Sequence, residues 1–242
     1  MAITNYNSDN HGTIYLGHSQ GSTPTFDTTG GGNLSVAHAS ATGTSDTVNL
    51  FLEDTNNAAS TATITSAGTE TLNITVGAAA ESHSLVTTAV APTTGSATTI
   101  NIKGYLATAS AAATVTLATT SALTTTVDAG TFAGTFTLSD RGSSAMTITG
   151  SIGVDSIQME NGGDTIAAGT GADTLVVKYY SIISGITVDL SAADQIVSWD
   201  GAAASGTVSG FEKVNLAQYT GGFGGNVTMG SSTTGSYEVT GT

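Results

Sequence analysis

Three aspartates stand nine residues apart, in Gly153-Val154-Asp155-Ser156-Ile157, Gly162-Gly163-Asp164-Thr165-Ile166 and Gly171-Ala172-Asp173-Thr174-Leu175. Each has a glycine two places before it and an aliphatic residue two places after. A nine-residue unit made of a tight turn and a short strand closes half of an eighteen-residue coil, so turns eighteen residues apart stack on the same side. Asp155 and Asp173 should therefore share one edge, and Asp164 should face the other. Adjacent coils lie about 4.8 Å apart. At an effective dielectric near 20, two carboxylates about 5 Å apart repel by roughly 3 kcal/mol, which calls for a cation between them.

Calcium suits that gap, because it takes about 6–8 oxygen ligands in flexible geometry and two carboxylates supply at most about four. Turn carbonyls must provide the rest. Glycine permits the φ > 0 conformations that turn carbonyls inward, a role assigned here to Gly153, Gly162, Gly169 and Gly171. Zinc is disfavoured, since the chain has no cysteine and His11, His18, His38 and His83 are scattered. The bland alternative is an Asx turn feeding a strand, with each aspartate bonding its own backbone.

The segment resembles the calcium-binding nonapeptide repeats of RTX proteins, G-G-x-G-x-D-x-U-x with U a large aliphatic residue. Ala168-Gly169-Thr170-Gly171-Ala172-Asp173-Thr174-Leu175-Val176 departs from that unit only at the first glycine. The copy from Gly150 to Gln158 lacks the second glycine, and the copy from Met159 to Ala167 lacks both leading ones. The next positions in register are Met146 and Ile182, not aspartates. The resemblance thus implies one calcium site with both acids, Asp155 and Asp173, and at most a half-site at Asp164.

Only four residues are basic, Lys103, Arg141, Lys178 and Lys213, against a net charge of −14. No patch of that kind neutralises several phosphates, which excludes nucleic acid and anionic membrane as partners. An acidic chain with so few counter-charges suits a calcium-rich exterior. No apolar run approaches the ~18 residues of a membrane helix, so membrane insertion is not expected. The first twelve residues carry no basic region followed by an apolar stretch, so no Sec-type signal is expected there. RTX-like proteins commonly leave by a type I system, and the resemblance implies an extracellular or cell-surface location by that route. The last residues, Gly235 to Thr242, read as an unfinished repeat.

Charged residues make up only 9% of the chain and hydrophobic residues 39%. Recurring β-branched runs with a mean hydropathy of +0.15 nevertheless argue for packed strands over disorder. Strands are expected at Thr47–Leu52, Ala62–Thr65, Thr71–Val76, Thr99–Lys103, Thr114–Leu117, Leu123–Val127, Thr135–Leu138 and Met146–Thr149. Most alternate apolar residues with Thr or Asn, giving one buried and one wet face. The fold expected is all-β, a parallel β-solenoid of the β-helix or β-roll kind, with a Greek-key β-sandwich as the runner-up. Its parts are a lead-in over 1–30, a Thr/Ala-rich solenoid over 31–149, the nonapeptides over 150–177 and further coils over 178–242.

Thr69-Glu70-Thr71-Leu72-Asn73-Ile74 and Gly210-Phe211-Glu212-Lys213-Val214-Asn215-Leu216 share one phrase: a glutamate, then a strand with an inner asparagine. Ala41 to Leu50 leads into a strand in a similar way. These phrases resemble repeats of bacterial S-layer proteins, over about residues 30–242.

Catalysis finds little support. Gly17-His18-Ser19-Gln20-Gly21 spells the G-x-S-x-G of a nucleophile elbow, but no helix-forming stretch follows Ser19. Glu53/Asp54 and Asp194/Asp200 are conceivable acid–base pairs of a β-helix glycosidase or lyase. Such clefts want basic and aromatic residues, and Trp199, the one tryptophan, is expected to pack in the last coils. Sequons at Asn33, Asn73 and Asn226 fall within expected strands. The reading is therefore of a non-enzymatic, calcium-stabilised surface protein whose main partner is itself in a lattice or filament, with cell-surface glycan as a further candidate. A phage decoration, fibre or adhesin protein and a β-helix carbohydrate-active enzyme are the alternatives.

Overall fold

The computed structural model describes residues 6–8, 17–18, 25–28, 32–38, 47–52, 60–67, 70–76, 82–88, 98–104, 113–119, 124–139, 144–178, 184–218, 225–228 and 238–240. Described residues form strands and turns and no helix, so none is long and apolar enough to cross a membrane. The first eight strands are β1 (Tyr6–Ser8), β2 (Gly17–His18), β3 (Thr25–Thr28), β4 (Gly32–His38), β5 (Thr47–Leu52), β6 (Ser60–Ala67), β7 (Thr71–Val76) and β8 (Ser82–Thr88). Then come β9 (Thr98–Gly104), β10 (Thr114–Thr119), β11 (Thr124–Thr131), β12 (Thr135–Leu138), β13 (Thr147–Thr149), β14 (Ser156–Met159), β15 (Thr165–Ala167) and β16 (Thr174–Val177). The last are β17 (Ile186–Asp189), β18 (Ile196–Trp199), β19 (Ala202–Ala203), β20 (Val208–Ser209), β21 (Lys213–Asn215), β22 (Gly225–Thr228) and β23 (Glu238–Thr240).

Each expected strand coincides with, lies within or overlaps one of these. The chain alternates between two large parallel sheets: β1, β3, β5, β7, β9, β11, β13, β15 and β20 make one, and β2, β4, β6, β8, β10, β12, β14, β16, β21 and β23 the other. Parallel pairing throughout both sheets overturns the antiparallel Greek-key sandwich. It follows from the sequence pattern, since strands alternating Thr or Asn with aliphatics present one apolar face to a shared core. Thr71–Val76 is the plainest case, its Leu72, Ile74 and Val76 buried between partly exposed Thr and Asn.

Registers turn that pattern into continuous apolar rows. Val48, Leu72, Ile100, Val127, Ile148, Ile166 and Val208 are successive partners in the first sheet, all of them buried. Leu117, Leu138, Ile157, Leu175 and Val214 do the same in the second. Burying each such side chain is worth roughly 1.5–3 kcal/mol, so every added strand stabilises its neighbours.

Two departures from the expected organisation stand out. Segment 1–30, read as a lead-in, carries β1, β2 and β3, which pair into both sheets. Segment 178–242, read as plain coils, contains an excursion. After β16 the chain forms β17, β18 and β19, which with β22 make a separate four-stranded sheet containing antiparallel pairs. It then returns, with Val208 pairing to Ile166 and Lys213 to Thr174. The Asp200-Gly201 turn between β18 and β19 explains the reversal: both residues have positive φ, 52° and 77°, as a two-residue hairpin loop requires. Buried Gln195 fastens the excursion to the stack. Its Nε2 donates to the Leu190 and Phe211 carbonyls, and its Oε1 accepts the Phe211 N–H.

Candidate functional site

Each periodic aspartate is the residue immediately before a strand: Asp155 before β14, Asp164 before β15 and Asp173 before β16. Ser156 pairs with Thr174 and Thr147 with Thr165, so the step is eighteen residues on both edges. Asp155 and Asp173 therefore lead strands of one sheet, and Asp164 leads a strand of the other, as the period requires. All three are buried.

On the first edge the acids form a ladder with the backbone. The Phe136 N–H donates to Asp155 Oδ1 at 3.0 Å, the Asp155 N–H to Asp173 Oδ1 at 2.8 Å, and the Asp173 N–H to Glu212 Oε2 at 2.8 Å. Each carboxyl thus takes up a backbone donor from the start of the preceding strand in the sheet. On the other edge the Met146 N–H donates to Asp164 Oδ1 at 2.9 Å and the Asn161 N–H to its Oδ2 at 3.1 Å.

Asp155 and Asp173 differ in what remains available. Asp155 also accepts the Ser151 N–H at Oδ2, at 2.6 Å, and touches the Ser151 hydroxyl at Oδ1. That hydroxyl has one proton to share with the Gly134 carbonyl, 2.7 Å away. In Asp173, Oδ2 is buried with no hydrogen-bond partner. Burial pushes the Asp173 carboxyl up to about 7; the Asp155 N–H opposes this, while the charges of Asp155 and Glu212 add to it. Burial also raises Asp155, against the bonds from Ser151 and Phe136.

The glycines divide by role. Gly169 and Gly171 have φ of +102° and +149°, the conformations for which glycine was expected. Gly153 and Gly162 are not among the positive-φ residues and are required by space. A Cβ on Gly153 would lie 2.4 Å from the Gly134 carbonyl oxygen, and one on Gly162 would lie 2.7 Å from Trp199 Cβ.

The acids differ in what they could offer a cation. Asp155 already meets three donor groups, whereas Asp173 keeps a buried Oδ2 without a hydrogen-bond partner. A Cβ on Gly171 would stand 2.2 Å from the Gly153 carbonyl oxygen and 2.7 Å from Asp173 Oδ1, so that carbonyl and carboxyl crowd the same turn. Such oxygen donors suit calcium.

Glu212 belongs to this edge and was not among the expected site residues. Its signal was the Glu-before-strand phrase: Glu212 precedes β21 as Asp173 precedes β16, and Glu70 likewise precedes β7 and is buried. Trp199 sits on β18 in the excursion, over Gly162, and not in a last coil. Asp194 and Asp200 serve local backbone: Asp194 Oδ1 accepts the Val208 N–H and Asp200 Oδ1 the Ser184 N–H. Ser19, His11, Glu53 and Asp54 lie outside the described residues, as do the side chains of His18, His38 and His83. The sequon asparagines Asn33, Asn73 and Asn226 lie in β4, β7 and β22. No protein-family model matches the chain, and no curated protein or solved structure is significantly similar to it.

Proposed function

We propose that the chain is a calcium-stabilised β-solenoid acting outside the cell as a self-assembling structural protein of the S-layer or RTX kind, and that it is not an enzyme. The observation that carries this reading is the unbroken parallel pairing from β1 to β20 and from β2 to β23. A stack of parallel coils has two unlike edges, and the unpaired N–H and C=O groups of one complement those of the other. Contact between such edges is heterologous and repeats without closing, which builds filaments or lattices.

Calcium fits this role through Asp173 Oδ2 and the turn carbonyls, with Asp155 joining by exchanging hydrogen bonds and Asp164 as a half-site. It would remove the cost of holding an unpartnered carboxylate oxygen in the interior. A cation that binds only the folded chain adds about 4 kcal/mol at ~1,000 times its dissociation constant, so folding would follow export into a calcium-rich medium.

The test is a calcium titration with chelator reversal, read by circular dichroism, thermal melting and negative-stain electron microscopy on one sample. Filaments or sheets should form with calcium and dissolve in chelator. A monodisperse monomer in millimolar calcium would defeat the assembly reading. An unchanged melting temperature would defeat the calcium reading.

A further inference from the structure

Where the excursion folds back on the nonapeptide turns it leaves a cleft of about 370 Å³. One wall is the turn from Glu160 to Gly163, the other the segment from Ala203 to Ser205, and Trp199 lies between them. The two walls are tied together, for the Ser205 and Gly206 N–H groups both donate to the Gly162 carbonyl, at 2.9 and 3.0 Å. Half-buried Trp199 packs against the core on one side and lines the cleft on the other. Its seat is specific: a Cβ on Gly162 would come within 2.7 Å of both Trp199 Cβ and Cγ, so only glycine lets the indole lie on this turn.

The polar groups are held in place as firmly. Glu160 accepts from Gln158 Nε2 and pairs with Lys178 Nζ at 3.6 Å, and both charged side chains are mostly shielded, 14% and 13% exposed. Asn161 Oδ1 accepts the Gly163 N–H at 2.8 Å, which fixes the amide against the turn. Ser205 brings a hydroxyl to the opposite wall.

We propose that this cleft binds carbohydrate, taking a neutral pyranose unit with its C–H face on the Trp199 ring and its hydroxyls on Glu160, Asn161 and Ser205. A sugar ring combines one apolar face with a rim of groups that both donate and accept. An aromatic plane flanked by a fixed carboxylate, an amide and a hydroxyl matches that combination. Anionic ligands are disfavoured, since the nearby cation Lys178 is paired with Glu160 and the chain carries a net charge of −14. The volume lies at the small end of ligand sites, which run roughly 300–1,000 Å³, and suits the end of a glycan. The cleft shares Gly162 with the calcium-like motif and Asn161 bonds Asp164, but Asp155, Asp173 and the ends of the two large sheets lie outside its lining, so binding is read both with calcium and in chelator.

Trp199 is the only tryptophan in the chain, and its emission reports directly on the cleft. The experiment titrates full-length protein, once in millimolar calcium and once in chelator with folding checked by circular dichroism, with cellohexaose, maltohexaose and chitohexaose, and with hexagalacturonic acid as the anionic comparison. At least one neutral oligomer should shift the emission saturably, with half-saturation at about 1 mM or below. No shift from any neutral oligomer at about 10 mM overturns the proposal. So does tighter binding of hexagalacturonic acid than of every neutral oligomer. Glu160→Gln should weaken the best ligand about tenfold with circular dichroism unchanged, and an unchanged affinity would remove the cleft as the site.

Discussion

The stretch from β5 to β11 and the stretch from β12 to β16 both hold one parallel strand upon the next, but with different means. In the first the strands run six to eight residues, and Leu72 meets Ile100 twenty-eight residues on. In the second they shrink to three or four residues, and Ile148 meets Ile166 after eighteen. Strand β7 buries Leu72, Ile74 and Val76, whereas β13 and β15 bury only Ile148 and Ile166 within their bounds. Strands β14 and β16 still bury Ile157 and Met159, and Leu175, Val176 and Val177, but with only three or four residues per strand the backbone ladders are short and other groups help to fix the register. Here the corners contribute, through buried carboxyls that accept backbone N–H groups across coils and glycines that let one turn lie directly on the carbonyl of another. Among the described residues, the long strands carry an asparagine ladder, in which the Asn73 amide donates to Asn49 at 2.9 Å and the Asn101 amide to Asn73 at 2.8 Å.

If corners carry the short coils, the largest loss should come from filling one. Gly171→Ala sets a methyl 2.2 Å from the Gly153 carbonyl oxygen at a φ of +149°. The expected cost is about 3 kcal/mol or more, measured by urea denaturation in chelator. Gly130→Ala, where the nearest atom is the Thr149 Cγ2 methyl at 3.1 Å, should cost much less. Equal costs at the two glycines would break the distinction between the regions.

Next in size is Asp155→Ala. It strips partners from the Phe136 and Ser151 N–H groups, both donors in a buried setting. An unsatisfied buried donor costs about 1–3 kcal/mol, so a total of about 2–4 kcal/mol is expected by the same denaturation assay. A loss below about 1 kcal/mol would show that the acid ladder does not hold the short coils.

The legibility of these regions in the sequence differs for the same physical reason. Strand positions and the eighteen-residue step could be read ahead, because Thr/aliphatic alternation and a strict Gly-x-Asp period are local patterns. Placement of Asp155 and Asp173 on one edge followed from arithmetic alone. Local donors such as Ser151 and Asn161 fit the Asx-turn reading, but the cross-strand donors Phe136, Met146 and Asp155 did not follow, and the return of the chain at Glu212 depends on a long excursion. That excursion had a local signal, Asp200-Gly201, which as a two-residue hairpin turn predicts reversal. Its docking on Gly162 had none: no spacing reveals that a glycine in a calcium-like motif is the seat of an indole in another sheet.

A smaller effect separates the two acids of the ladder. Asp173 is raised to about 7 in the folded chain, whereas an unfolded aspartate titrates near 4. Between those values the folded chain holds a proton that the unfolded chain has lost. Its contribution is therefore fully present below about pH 4 and is lost as pH rises through about 7, with a slope of at most about 1.4 kcal/mol per pH unit. In chelator the protein should be more stable at pH 6 than at pH 7, and Asp173→Asn should reduce that difference. A slope that survives Asp173→Asn intact would assign the proton elsewhere, with Asp155, raised in the same direction, the next group to replace.

The smallest effect should come from the long coils, and it sharpens the comparison most. Asn73→Thr keeps a β-favouring residue in β7 while removing the amide that bridges Asn49 and Asn101. Both bonds are only partly buried, so water can replace them, and a net cost of about 0.5–1.5 kcal/mol is expected by urea denaturation. The apolar row beside them, with Val48, Leu72 and Ile100 buried, continues to hold the register. A cost matching that of Asp155→Ala would mean that side-chain ladders, not apolar rows, align the long strands. The two regions would then be variants of one polar mechanism rather than two different ones.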